Sequence, residues 1–183
     1  MERYLYLLFC LLLDCDYMSE TEENLKAAFA GESQANRRYL AFSAQAEKEG
    51  YPNIAKLFKV AAESETYHAL GHLKAMSGVG STEENLAEAK SGENHEAVTM
   101  YPEFIQQAEA EDNKKAARTF SWALAAEKVH EGLYAQALEA LKAGNDIEEK
   151  QYYICPVCGY TMHGEVPDRC PICNAQKDRF IVI

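Results

Sequence analysis

A mainly α chain, a four-helix bundle followed by a small cysteine-rich β module, is the fold that this sequence predicts. Three observations predict it. Apolar residues recur at helical spacing along four stretches between residues 18 and 146. Four of the six cysteines, Cys155, Cys158, Cys170 and Cys173, form two CxxC pairs near the C-terminus. Charge divides along the same line: the chain carries −11 overall, yet residues 151–183 are neutral, with three acids against three bases. The expected organisation is a leading extension (1–17), a helical domain (18–146) and a cysteine module (147–183).

With 183 residues, 48% hydrophobic and 26% charged, the chain can bury a core and fold as one domain plus a small module. The acidic balance excludes a general nucleic-acid binder, which needs a basic footprint. It also excludes membrane-surface attachment through a polybasic patch.

The extension contains ten apolar residues, Tyr4–Leu13, behind a single Arg3. That run is too short to span a bilayer as a helix. It has the look of a signal h-region without a cleavage site. The expected reading is an upstream extension with Met18 as the natural start, because a helix signal follows at once; a signal or anchor role is the alternative.

Ser19-Glu20-Thr21-Glu22 reads as a capping box. The first helix carries Leu25, Phe29, Glu32, Asn36, Tyr39, Phe42 and Ala46, and ends near Gly50-Tyr51-Pro52. The second carries Ile54, Phe58, Ala61, Glu65, His68 and then His72 or Leu73, and stops at Ser77-Gly78-Val79-Gly80. Ser81–Ala89 reads as a short helix or an ordered crossover between two hairpins. The third helix carries Glu93, Glu96, Met100, Phe104 and Ala108, and Pro102 within it predicts a kink or local break. A turn at Glu111-Asp112-Asn113 leads to the longest helix, with Phe120, Leu124, Glu127, His130, Tyr134, Leu138 and Leu141. Gly144-Asn145 ends it.

The apolar stripes contain carboxylates. Glu32, Glu65, Glu93, Glu96 and Glu127 share faces with Phe29, Phe58, Met100 and Phe120. Burying one uncompensated carboxylate costs several kcal/mol, and no helix places enough Lys or Arg on these faces. The spacing repeats: Glu32 precedes Glu65-x-x-His68, and Glu93 precedes Glu127-x-x-His130. Residues i and i+3 leave one face of a helix and reach one centre. One Glu followed by an ExxH helix, twice over, is the pattern of ferritin-like bundles that hold two iron or manganese ions. Glu96 breaks the symmetry as an additional carboxylate in the second half.

Other polar groups read differently. His72 has no mirror in the second half and reads as a neighbour of the site or a partly exposed histidine. His95 should point away from Glu93 and Glu96. Glu63 and Glu131 fall off the stripes and read as solvated. Tyr39, seven residues after Glu32, is placed to hydrogen-bond a ligand carboxylate or to pack in the core. Trp122 is a packing residue.

Cys155-Pro156-Val157-Cys158-Gly159 and Cys170-Pro171-Ile172-Cys173-Asn174 are two knuckles whose four thiolates make a tetrahedral site for zinc or a single iron. A disulfide framework does not fit the arrangement, and a cytoplasmic setting is expected. Gly159 and Asn174 suit left-handed backbone, which turns N–H groups toward sulfur. Tyr152-Tyr153-Ile154 and Phe180–Ile183 read as short strands. The module is too small to fold well without its metal.

Taken together, residues 19–183 resemble the rubrerythrins. The resemblance is carried by AFAGESQANRRY around Glu32, ESETYH ending at His68, GENHE with Glu93 and Glu96, EKVH with Glu127 and His130, and the CPVCG…CPIC pair. It implies a ferritin-like bundle with a rubredoxin-like tail. It implies a non-haem di-iron centre held by Glu32, Glu65, His68, Glu93, Glu96, Glu127 and His130, with Glu65 and Glu127 bridging. It implies one redox-active iron on Cys155, Cys158, Cys170 and Cys173. The implied activity is reduction of hydrogen peroxide to water, with electrons from rubredoxin or an NAD(P)H-dependent reductase. The family's redox-linked exchange between a histidine and a glutamate falls on His68 and Glu96, which with Tyr39 are the expected catalytic residues. A homodimer, head-to-tail or domain-swapped, is implied as well. The leading extension and Asn174, where glycine is common, depart from the family pattern. Two other readings use the same residues: an iron-oxidising storage protein, and a helical scaffold with a structural zinc ribbon.

Overall fold

The computed structural model describes residues 19–183. The extension, with Cys10, Cys15 and the expected start Met18, lies outside the described residues. The chain separates into two compact units that meet between Val79 and Gly80.

The first unit is a helical hairpin. Helix α1 runs Glu20–Lys48 and α2 runs Pro52–Ala75. The expected capping box forms: Ser19 Oγ accepts the Glu22 N–H at 3.2 Å, and Glu22 Oε2 accepts the Ser19 N–H at 2.8 Å. This satisfies donors that the first turn leaves without helical partners. Gly50, at φ 84°, reverses the chain, and Pro52 opens α2 with its fixed φ. The seam between the helices is made of small residues. Ser43, Ala46, Ala55, Ala62 and Ala69 are buried, so the two backbones approach closely. Polar groups fasten the seam: Ser43 Oγ donates to the Ala55 carbonyl at 2.9 Å, and Asn36 Nδ2 donates to the Ala62 carbonyl at 2.7 Å.

The second unit contains two helical rods and the β module. The first rod begins with α3, Thr82–His95, continues through a π-helical turn at Glu96–Met100, and ends as α4, Tyr101–Ala110. Helix α5 runs Lys114–Lys142 and packs along both α3 and α4. Ser81–Ala89 is therefore no separate connection. It is the opening of that first rod, because Ser81 forms a second capping box with Glu84. The break expected near Pro102 takes the form of the π-turn just before it. There the Tyr101 N–H bonds to the Glu96 carbonyl, five residues back. Asn113 caps α5 through the Ala116 N–H, and Gly144 ends it at φ 77°.

The module is a three-stranded antiparallel sheet in the order β2-β1-β3, with β1 Tyr152–Ile154, β2 Thr161–His163 and β3 Ile181–Val182. Strands β1 and β3 lie where the sequence predicts them. Strand β2 was not expected, since Thr161-Met162-His163 is too short to show an alternating pattern. It packs against α5. No helix among the described residues is long and apolar enough to cross a membrane.

Candidate metal centres

Three groups of ligating side chains converge, and each lies within one unit. In the first unit Glu32, Glu65 and His68 bring one ligand atom each to within 4.8 Å of the others. Glu32 comes from α1, and the ExxH pair sits one turn apart on α2. His68 Nδ1 lies 2.8 Å from Glu65 Oε2. Glu32 and Glu65 are half-buried and His68 is exposed.

The second unit repeats the arrangement with Glu93, Glu127 and His130, all half-buried. His130 Nδ1 lies 2.8 Å from Glu127 Oε2 and 3.7 Å from Glu93 Oε1. Burial first, then the adjacent Glu127 carboxyl and the charges of Glu127 and Glu96, pushes the Glu93 carboxyl up to about 7. Its Oε2 is buried without a hydrogen-bond partner. A buried acceptor with no donor among crowded carboxylates is a site shaped for a cation.

Glu96 stands outside that three-residue group, yet its charge reaches both Glu93 and Tyr101. Tyr101 was missed in the sequence reading. It is half-buried, and burial followed by the charges of Glu96, Glu127 and Glu93 pushes its phenol up. It therefore stays protonated in the field of these carboxylates. Its position in the stripe, eight residues after Glu93 where Tyr39 is seven after Glu32, was the available signal. Tyr39 packs in an aromatic trio with Phe42 and Phe58, at centroid distances of 6.3 Å to each. Tyr101, Phe104 and Phe120 form the same trio in the second unit.

His95 and Glu63 are exposed and His72 is partly exposed, as expected. Glu131 is half-buried instead of solvated and accepts from Asn94 Nδ2 at 3.4 Å. It lies one helical position beyond His130 and so at the rim of the buried face. Trp122 is half-buried beneath the Arg118 guanidinium.

The third group is the four cysteines, also gathered within 4.8 Å, with Cys155 and Cys170 buried. Cys155 Sγ lies 3.5 Å from Cys173 Sγ, and Cys158 Sγ lies 3.6 Å from Cys170 Sγ. Four thiolates about 2.3 Å from a tetrahedral ion sit about 3.8 Å apart, so the donor set fits one. Gly159 and Asn174 have the expected left-handed backbone, at φ 79° and 65°. Burial pushes the Cys155 thiol up, but the N–H groups of Val157 and Cys158 and the neighbouring thiols outweigh it and leave it at about 7. Burial raises Cys158 and Cys173.

Two carboxylate–histidine groups on helices and one four-thiolate group on a small sheet are the donor sets of a dimetal carboxylate protein with a built-in four-thiolate metal site. The rubrerythrin family model matches residues 23–138, and the model of the rubrerythrin rubredoxin-like domain matches residues 153–181. The chain is 42% identical to rubrerythrin-2 of Clostridium acetobutylicum over 174 residues, covering 87% of this chain and 95% of that protein. It is 39% identical to nigerythrin of Nitratidesulfovibrio vulgaris, over 89% of this chain and 86% of that one. The solved structure of fully reduced, all-ferrous nigerythrin aligns at a TM-score of 0.52 and 34% identity, covering 93% and 92% of the two chains. The chain belongs to the rubrerythrin family. Its fold is a ferritin-like helical domain followed by a rubredoxin-like module, and it carries the residues of a non-haem di-iron site and of a four-cysteine iron site.

Proposed function

We propose that this oxidoreductase is a peroxidase that reduces hydrogen peroxide to water. One peroxide takes up two electrons and two protons to give two waters. When bound, the iron pair supplies the electrons, and the four-cysteine iron resupplies them from a rubredoxin-type donor or an NAD(P)H-dependent reductase.

The carrying observation is the coexistence, in one chain, of the repeated carboxylate–histidine groups and the four-cysteine site. Storage has no use for the second, and a structural ribbon has no use for the first. In this reading Glu32, Glu65 and His68, with Glu93, Glu127 and His130, supply the ligands of the iron pair. Glu65 and Glu127 would each supply a carboxylate to the pair, as the family resemblance implies. Glu96 would be the alternative carboxylate ligand to His68, the exchange that the family resemblance implies. Its place beside Glu93 and the exposure of His68 support that assignment. Tyr101 keeps its phenol proton and steadies the carboxylates, and Tyr39 holds the matching position in the first unit. A cytoplasmic homodimer, head-to-tail or domain-swapped, belongs to the same reading.

The test is peroxide consumption by the iron-loaded chain with NADH and a rubredoxin reductase system. Glu127→Ala should lower turnover by at least about 100-fold while helical circular dichroism is kept. Turnover that survives in Glu127→Ala contradicts the assignment.

A further inference from the structure

The two ligand histidines are held differently. His130 Nδ1 faces Glu127 and Glu93, and its other ring nitrogen, Nε2, lies 2.9 Å from Thr161 Oγ1 on strand β2. Thr161 Oγ1 lies 3.3 Å from the Gly159 carbonyl, in the knuckle that follows Cys158. Gly159 in turn donates its N–H to the Cys155 carbonyl at 2.9 Å. His68 also turns Nδ1 to its glutamate, at 2.8 Å. No partner for its Nε2 occurs among the described residues, and its side chain is 54% exposed.

Proton bookkeeping orders the His130 chain. A neutral imidazole that gives Nδ1 to a metal carries its proton on Nε2. Nε2–H then donates to Thr161 Oγ1, and the Thr161 hydroxyl proton is left for the Gly159 carbonyl. With Nδ1 on a metal every group then has one role; without a metal the other tautomer also fits, Nδ1–H donating to Glu127 and Nε2 accepting the Thr161 hydroxyl. An outer partner of this kind fixes the tautomer and ring orientation of a ligand histidine and raises its basicity.

We propose that Thr161 is a positioning residue for the di-iron site. Its hydroxyl locks His130 with Nδ1 toward the metal and ties that ligand to the first cysteine knuckle of the same chain. The proposal rests on His130 being a ligand, as in the reading above. It assigns a site role to a residue of the cysteine module that holds no metal itself. It also predicts that the His130 side keeps its metal more firmly than the His68 side.

The test compares Thr161→Ala with Thr161→Ser in the iron-loaded full chain. Both lose the methyl group, and only Ala loses the hydroxyl. The chain is reduced, a ferrous-specific chelator is added anaerobically and iron release is followed; the visible spectrum of a separate oxidised sample reports module integrity. Thr161→Ala should release one of the two bundle irons about 10–100 times faster than the unaltered chain. It should also shift the Mössbauer quadrupole splitting of one bundle iron. Thr161→Ser should match the unaltered chain in both. Equal behaviour of Ala and Ser, whether both hold iron or both lose it, overturns the proposal. The readout is iron retention, so a chain that binds both irons but fails to reduce peroxide defeats the peroxidase reading alone.

Discussion

Glu93 shows how one carboxylate encodes a metal requirement. Its side chain is crowded by Glu127 and Glu96, and one of its oxygens is buried without a donor. A folded-state carboxyl held at about 7, against an ordinary value of 4.5, binds more protons folded than unfolded between those values. Metal-free protein should therefore lose stability as pH rises from 4.5 to 7, with no further loss from this group above that. Thermal melts of the metal-free chain should give a lower midpoint at about pH 8 than at about pH 6, and Glu93→Gln should flatten the difference. Ferrous iron should reverse the order, because the cation needs the ionised carboxylate. A metal-free midpoint that rises toward pH 8 would contradict this. The residue types and spacing made the ligand groups legible in the sequence, since an acid in an apolar stripe needs a counter-charge. Thr161 was not legible. Its bond to His130 joins residues 31 positions apart, in parts of the chain that share no pattern.

At the scale of elements, the π-turn is a one-residue difference between the two halves. Seven residues separate Glu32 from Tyr39, and eight separate Glu93 from Tyr101. From Tyr101 onward the halves run in step, through Phe104, Phe120, Glu127 and His130 against Phe42, Phe58, Glu65 and His68. A π-turn accommodates one extra residue without ending a helix. Here it begins at Glu96, the carboxylate that lacks a mirror. Deleting Val98 should restore a plain α-helical rod with the first half's register. Helical content should hold, peroxide turnover should fall by about 10-fold or more, and redox-linked spectral change at the bundle should be lost. Unchanged turnover in the deletion would remove the π-turn from the mechanism. The sequence signalled a break through Pro102 but could not show its type, because a π-turn leaves only a one-residue slip in a repeat. Ser81–Ala89 is helical, as one of its two readings has it, but its continuity with the third helix was hidden because its stripe is nearly free of large apolar residues. Strand β2 was too short to announce itself.

For the whole molecule, the proposed function requires electrons to pass from the four-cysteine site to peroxide by way of the carboxylate–histidine groups. Both sites are built from residues that fit them, and each would be simpler without the other. The direct measurement is the visible spectrum of the anaerobically reduced, iron-loaded chain as a small excess of peroxide is added. A ferric four-thiolate centre is coloured, and the ferrous form is nearly colourless. Colour should appear within seconds of adding peroxide. Colour that appears with ferricyanide but not with peroxide would mean that the two sites are uncoupled. No colour with either oxidant would mean that the cysteines hold zinc and would contradict the proposed peroxidase function.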